Sequence, residues 1–364
     1  MKKHEKHPKL TLANIGKWGK NEFALLGAPC ELINTLASEI IDALAGKYKV
    51  AFVDADHSQD KSEFKTQSIK FQDKISHFSF SKPVISEFER KLLLADADII
   101  LVNGNHFEAE KQIVIIDPKK EESLKKREHQ LTHVIGVLKT NDAEPFGWLN
   151  NTFSTIINFE NRRFLSQIIA NNLKKIEIKG LILTGGKSTR MGLDKSEIIY
   201  NEGLTQKKYL FKTLSEIGLE TYYSVANLTG ENFEIEDKFT ELGPYGAILS
   251  AFRSDPNAAW LVIACDMPLI GAEEVNFLIN NRNLSKIATA CYNPETDFAD
   301  PLFTIWEPKA YPVLLNFLAQ GYSCPRKALI NSDIELIHLP NATVLKNINT
   351  AEERNEFMTK KPTK

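Results

Sequence analysis

With 364 residues, 43% of them hydrophobic and 25% charged, the chain has the composition of an ordinary globular protein. It exceeds what one core usually supports, so two domains are expected. The formal net charge of −2 argues against bulk affinity for nucleic acid or an anionic membrane. Four cysteines, at positions 30, 265, 291 and 324, show neither C-x-x-C spacing nor disulfide-framework density, which fits reduced thiols in the cytoplasm.

The first residues, Met1-Lys2-Lys3-His4-Glu5-Lys6-His7-Pro8-Lys9, are basic with no apolar region behind them, unlike a signal peptide, and no later stretch approaches the ~20 apolar residues of a membrane span. Residues 1–19 are expected to be a disordered or frayed tail.

From Glu22 strand and helix alternate. Phe23-Ala24-Leu25-Leu26 reads as a buried strand, Gly27-Ala28-Pro29 as a turn, and Cys30 to Leu44 as a helix with Leu32, Ile33, Leu36, Ile40, Ile41 and Leu44 at three- and four-residue spacing. Gly46 stops it, and Lys49 to Asp54 is the next strand, giving a βαβ start and a parallel sheet with a right-handed crossover. Asp54, Asp56 and His57 offer metal ligands at the strand end, although a plain polar strand end accounts for them more simply. Glu121 to Glu128 alternates in charge like a solvated helix face. Phe164, Leu165, Ile168, Ile169 and Leu173 form an apolar stripe that closes the first domain. The polar stretch Asn171 to Lys179 is a short linker, so the expected domains are 20–176 and 177–364.

In the second half the strand candidates are Gly180 to Leu183, Glu220 to Val225, Ala259 to Ala264, Ile287 to Ala290 and Phe303 to Trp306. The pattern predicts a second α/β domain, doubly wound in three layers, with its ligand at the carboxyl ends of the strands. The first of these strands runs straight into Thr184-Gly185-Gly186-Lys187-Ser188-Thr189-Arg190-Met191-Gly192-Leu193-Asp194-Lys195. Gly185 and Gly186 let backbone N–H groups approach a bulky anion, and Arg190 and Lys195 supply charge for a triphosphate. Lys187 is equally well a solvated loop residue. The spacing is neither a Walker A loop nor a dinucleotide fingerprint. Trp260 to Asp266 is an apolar strand that ends in a carboxylate, where a hard Mg²⁺ on triphosphate oxygens would be held; a helix N-cap ahead of Pro268 is the alternative.

The run Gly185-Gly186-x-Ser188-x-Arg190-Met191-Gly192-x-Asp194-Lys195 resembles the signature loop of nucleotidyltransferases that use a glycine-rich loop, most closely the molybdenum cofactor guanylyltransferases. Gly243-Pro244-Tyr245-Gly246-Ala247-Ile248, Ala264-Cys265-Asp266-Met267-Pro268, Asp300-Pro301-Leu302-Phe303 and Asn347-Ile348-Asn349-Thr350-Ala351-Glu352-Glu353 follow in that family's order. The resemblance implies a Rossmann-like domain that transfers GMP from GTP to molybdopterin or Mo-molybdopterin, with Mg²⁺. Lys195, Arg190 and Asp266 would be catalytic, with Asp266 on the metal. Leu183, Thr184, Gly185, Gly186, Lys195, Asn227 and Asp237 would bind the nucleotide, Asp237 by accepting from the guanine edge. Asn227 and Asp237 are also ordinary turn residues. Arg326 could meet the pterin phosphate, although a surface basic cluster is the simpler account. Cys265 reads as a buried structural thiol. Cytidylyl transfer to the same cofactor, and a non-catalytic docking or delivery module, are the alternatives.

The first half resembles the P-loop partner protein of molybdopterin-guanine dinucleotide biosynthesis, through Val50 to His57 and Ala97 to Gly104. Where that family places G-K-[ST], this chain reads Gly27-Ala28-Pro29-Cys30-Glu31-Leu32-Ile33-Asn34, and Asn103 stands where an acidic residue is usual. With no lysine for the phosphates and no hydroxyl for Mg²⁺, the domain reads as a degenerate, non-catalytic relative. Molybdoenzymes receiving the cofactor are further implied partners.

Overall fold

The computed structural model describes residues 9–56, 69–82, 84–140, 143–149, 155–184, 195–201 and 203–360. They form two compact units, one of residues 15–174 and the other of residues 175–364 joined by the segment up to Asn14. The chain therefore passes from one unit to the other twice. In the second unit, the backbone of Asn14 and of Leu12 hydrogen-bonds Asn257, Asn14 N donating to Oδ1 at 2.6 Å and Nδ2 donating to Leu12 O at 3.1 Å. Trp18 is buried in the first unit. Both observations depart from a tail that frays as far as residue 19.

The first unit comprises β1 (Glu22–Leu26), α1 (Cys30–Leu44), β2 (Val50–Val53), β3 (Lys70–Lys74), β4 (His77–Ser81), α2 (Glu87–Leu93), β5 (Ile99–Asn103), β6 (Lys111–Ile116), α3 (Glu121–Lys125), β7 (Val134–Lys139), β8 (Ile156–Asn158) and α4 (Phe164–Asn171). Six strands form a parallel sheet in the order β2-β5-β1-β6-β7-β8. Their near-continuous apolar sequences fit burial on both faces. One face packs Ile33, Leu36, Ile40 and Leu44 of α1 with Leu165 and Ile169 of α4; the other carries Leu124, Phe146 and Leu149. Leu124 of α3 is buried, so the charged segment 121–128 is anchored at one point and not solvated throughout. β3 and β4 form a separate antiparallel ribbon.

The second unit comprises β9 (Ile178–Leu183), β10 (Ile199–Asn201), β11 (Leu204–Thr205), α5 (Gln206–Glu216), β12 (Glu220–Val225), β13 (Glu234–Glu236), α6 (Pro244–Ser254), β14 (Ala259–Ala264), α7 (Ala272–Asn280), β15 (Ala288–Asn293), β16 (Phe298–Trp306), α8 (Ala310–Ala319), α9 (Pro325–Ile330), β17 (Glu335–Ile337) and α10 (Ala351–Lys360). Seven strands run in the order β13-β12-β9-β14-β16-β15-β17, with β16 alone antiparallel to its neighbours. Leu210 and Leu214 of α5 and Val275 and Leu278 of α7 cover one face. Ile248, Leu249 and Phe252 of α6, Leu314 of α8 and Leu329 of α9 cover the other, making the three layers expected for this α/β class.

Candidate active site

Strands β9, β12, β13 and β14 are mutually parallel, so everything just past their carboxyl ends lies along one edge. Thr184 follows β9, Asn227 lies two residues past β12, Asp237 follows β13 and Asp266 lies two residues past β14. β16 runs the other way, which brings Asp300 near its start to the same edge. In the sequence, the glycine-rich run follows directly on Thr184. Gly185, Gly186, Lys187 and Arg190 lie outside the described residues, as does His57 in the first unit.

Lys195 opens a short 3₁₀ turn over Lys195–Glu197. Ser196 and Ile198 are buried beside it, and Asn201 Nδ2 donates to Pro268 O at 2.8 Å, tying β10 to the turn after β14. The Lys195 ammonium donates to Asn349 Oδ1 at 2.7 Å and lies 3.3 Å from Asp266 Oδ2. Asn349 reaches this point because Ile348 N donates to Asp266 O at 2.8 Å while the Ile348 side chain packs with Ile198 and Tyr200. Tyr200 is pushed up to about 12 by that burial, with Arg354 pulling it down and Asp266 adding to the rise. Three segments far apart in sequence thus meet at one cation.

Asp266 Oδ1 is buried without a hydrogen-bond partner, and so is Asn347 Oδ1. Buried oxygens left in this way are costly unless something else satisfies them. An anionic and an amide oxygen are the hard donors a cation such as Mg²⁺ takes, so the residues present fit such an ion. Asp300 accepts from Asn293 Nδ2 at 2.9 Å and from Leu302 N at 2.9 Å. Burial pushes its carboxyl up, the two hydrogen bonds and Arg326 oppose that, and Asp266 adds to it.

The remaining sequence candidates have local duties. Leu183 is buried in the core, and its carbonyl accepts from Cys265 N at 3.4 Å. Thr184 Oγ1 donates to Ser224 O at 2.5 Å. Asn227 is exposed. Asp237 Oδ1 accepts from Phe239 N at 2.9 Å and from Ser250 Oγ at 2.9 Å, fixing the loop ahead of α6. Arg326 is half-buried in α9. Sequence reasoning gave no role to Asn347, Asn349, Asn293 or Asp300, although all but Asn293 stand within motifs it had singled out. The N-x-N spacing carries a signal: in an extended segment, alternate residues share a side.

In the first unit, the turn after β1 is filled by protein groups. Asn105 Oδ1 accepts from Gly27 N at 3.4 Å, and Asn105 Nδ2 donates to Ala28 O at 2.8 Å. Gly27 has φ +97°, and a Cβ there would come within 2.4 Å of Ile115 O. Asp54 Oδ1 accepts from Asn103 Nδ2 at 2.8 Å. A cavity of about 390 Å³ lined by Leu32, Asp117, Lys119, Thr140 and Phe159 opens at the carboxyl ends of β6 and β7, in this unit and not beside Lys195. Among the described residues no three His, Cys, Asp or Glu side chains are grouped to hold a metal, and no helix is long and apolar enough to cross a membrane.

A doubly wound sheet with a glycine-rich sequence after the strand Ile178–Leu183, and with Lys195 and the strand-end Asp266 meeting at one edge, fits a nucleotidyltransferase type of domain. Residues 180–333 match the MobA-like NTP transferase domain. The chain is 32% identical over 206 residues to a molybdenum cofactor biosynthesis bifunctional protein of Synechocystis, covering 52% of this chain and 59% of that protein. It is 26% identical over 190 residues to a probable molybdenum cofactor guanylyltransferase of Carboxydothermus hydrogenoformans, covering 49% of this chain and 93% of that one. A crystal structure of molybdopterin-guanine dinucleotide biosynthesis protein A from Archaeoglobus fulgidus aligns over 50% of this chain and 97% of its own, at 19% identity and a TM-score of 0.42.

Proposed function

We propose that the second domain transfers GMP from GTP to the terminal phosphate of molybdopterin or Mo-molybdopterin. A phosphate oxygen of the pterin attacks the α-phosphorus in line, the bond to the bridging oxygen of the β-phosphate breaks, and pyrophosphate leaves. A phosphomonoester is already an anionic nucleophile at neutral pH, so the chain has to position and neutralise rather than deprotonate. The observation that carries this reading is Lys195 clamped between Asn349 and Asp266 at the strand edge, a fixed positive charge where the negative charge of a transferring phosphoryl group builds up.

In this reading the Gly185 and Gly186 amides cradle phosphates, Arg190 adds a second cation, and Leu183, Thr184 and Asn227 line the nucleotide. Asp237 accepts from guanine N1–H and the 2-amino group, which selects G over A. Asp266, with Asn347 next in sequence to the Ile348 that bonds the Asp266 backbone, would hold Mg²⁺, which when bound supplies charge neutralisation to the triphosphate oxygens. The product would pass to molybdoenzymes in the cytoplasm, and the first domain would act without binding nucleotide in the P-loop manner. The test is pyrophosphate release by the full chain with molybdopterin and GTP, CTP or ATP. Turnover with GTP is expected. Turnover with CTP alone would replace guanylyl by cytidylyl transfer, and no turnover with any nucleotide would leave a docking module.

A further inference from the structure

We propose that Cys30 and His106 form a nucleophilic dyad through which Cys30 exchanges with small-molecule disulfides and becomes reversibly S-thiolated. Cys30 Sγ lies 3.3 Å from His106 Nε2, a contact that joins the start of α1 to the turn after β5, 76 residues on. A thiol with an imidazole in hydrogen-bond reach is the nucleophile and base of cysteine chemistry. Both residues belong to the first unit, whereas every residue assigned to nucleotidyl transfer belongs to the second.

The surroundings suit the pair to this role. Cys30 is the first residue of the 15-residue α1, and its N-cap, Pro29, supplies no side-chain cap, so the positive end of the helix dipole falls at Cys30. Reactive cysteines stand at such ends and beside a histidine. Asn105 Nδ2 donates to Ala28 O at 2.8 Å and lies 3.8 Å from Cys30 Sγ, while Arg127 donates to Asn105 O at 2.8 Å. The imidazole is carried by a turn in which His106 N and Phe107 N donate to Asn103 O at 3.0 and 3.1 Å. Phe107 packs edge-on against the buried Trp18, 5.2 Å between centroids. Backbone and core thus hold both groups in place, as a working site requires. The thiol is half-buried, and the cavity of about 390 Å³ reaches the same first turn of α1 at Leu32, a space of small-ligand size.

Metal binding is the other use of a cysteine and a histidine, but a zinc site takes at least three protein ligands. Among the described residues no third His, Cys, Asp or Glu joins these two. In the exchange, with the His106 hydrogen on Nδ1, the thiol proton passes to Nε2 as Sγ attacks one sulfur of the disulfide. The S–S bond of the small molecule breaks and a new one joins Cys30 to one half. The other half leaves as a thiolate and takes the proton from the imidazolium, so the disulfide is the only oxidant required.

The test adds glutathione disulfide to the full chain at neutral pH and follows the adduct at each cysteine by peptide mass spectrometry. Cys30 should react faster in the native chain than in the urea-unfolded chain, although its partial burial acts in the opposite sense. An ordinary thiol is already a few per cent thiolate at neutral pH, so the gain should be about tenfold. His106→Gln should remove that gain and leave the rate at the exposed Cys324 unchanged, with circular dichroism showing that the variant folds. Dithiothreitol should release the adduct. A native Cys30 that reacts no faster than the unfolded one, or a rate that His106→Gln does not alter, overturns the proposal. Labelling of Cys30 by iodoacetamide with no reaction with the disulfide overturns the choice of co-substrate.

Discussion

Lys195 is the perturbation with the most to reveal, because its two partners are unequal. Replacing it by Ala removes the cation from the strand edge. Loss of one fixed group that stabilises transition-state charge costs about 10²–10³ in kcat, or about 2.7–4 kcal/mol. Replacing Asn349 by Ala leaves the cation but removes the shorter of its two contacts, 2.7 Å against 3.3 Å to Asp266. A hydrogen bond to a charged group contributes about 1.5–3 kcal/mol, so kcat should fall by roughly 10- to 100-fold if the loss is felt in full at the transition state. Asn349 acts through Lys195, so the double variant should be scarcely worse than Lys195→Ala, and the coupling energy should approach the whole Asn349 effect. The assay is pyrophosphate release at saturating GTP and molybdopterin, with kcat and KM determined separately for the four proteins. Additive losses would refute the clamp, and a Lys195→Ala enzyme with unchanged kcat would refute the role of the cation itself.

Gly246→Ala should destabilise the second domain, because the new Cβ would stand 2.1 Å from the Phe239 carbonyl oxygen and 3.0 Å from Asp237 Oδ2. The cost is about 1–3 kcal/mol or more, read as a lower denaturation midpoint, while Gly147→Ala, with nothing within 4 Å of its Cβ, should be near neutral; equal effects would undo the argument. Lys179 bridges Glu220 at 2.7 Å and Asp255 at 3.1 Å, and its hydrogen bond holds the Glu220 carboxyl below its usual range. A depressed carboxyl contributes stability that is present above its unfolded value of about 4.3 and lost as pH falls through the folded value. Lys179→Met should therefore flatten the fall in stability below about pH 4, and an unchanged acid limb of the stability profile would count against the pair. Among the thiols, Cys324 is exposed whereas Cys265 and Cys291 are buried, and burial also pushes the Cys291 thiol up. Native protein should label fast at Cys324 and, at Cys265 and Cys291, only on unfolding, as mass spectrometry would report.

Much of the fold was legible where one local signal dominated. The helix Cys30–Leu44 and the strands Glu220–Val225 and Ala259–Ala264 stand where periodicity and apolar runs put them. β16 begins at Phe298, five residues ahead of the expected Phe303: aspartate and proline are disfavoured in strands, but Asn293 satisfies Asp300 inside the sheet. β10, β11, β13 and β17 have two or three residues each, too few for an alternation to show. At the site, Lys195 and Asp266 could be picked out because each belongs to a compact motif. Their meeting with Asn349 could not, since it joins positions 154 residues apart and depends on Ile348 being pinned to the backbone of Asp266.

The pin at Ile348 also gives the site an order of assembly during synthesis. Strands β9 to β16, Lys195 and Asp266 have all been made well before residue 347, yet the ammonium gains its short contact only when Asn349 has cleared the ribosome. A chain cut between Ile337 and Asn347 would keep all seven strands of the second sheet, including Glu335–Ile337, while leaving its central cation half-held. A spectroscopic check of secondary structure would pass such a product, and only a measurement at Lys195 would find it unfinished.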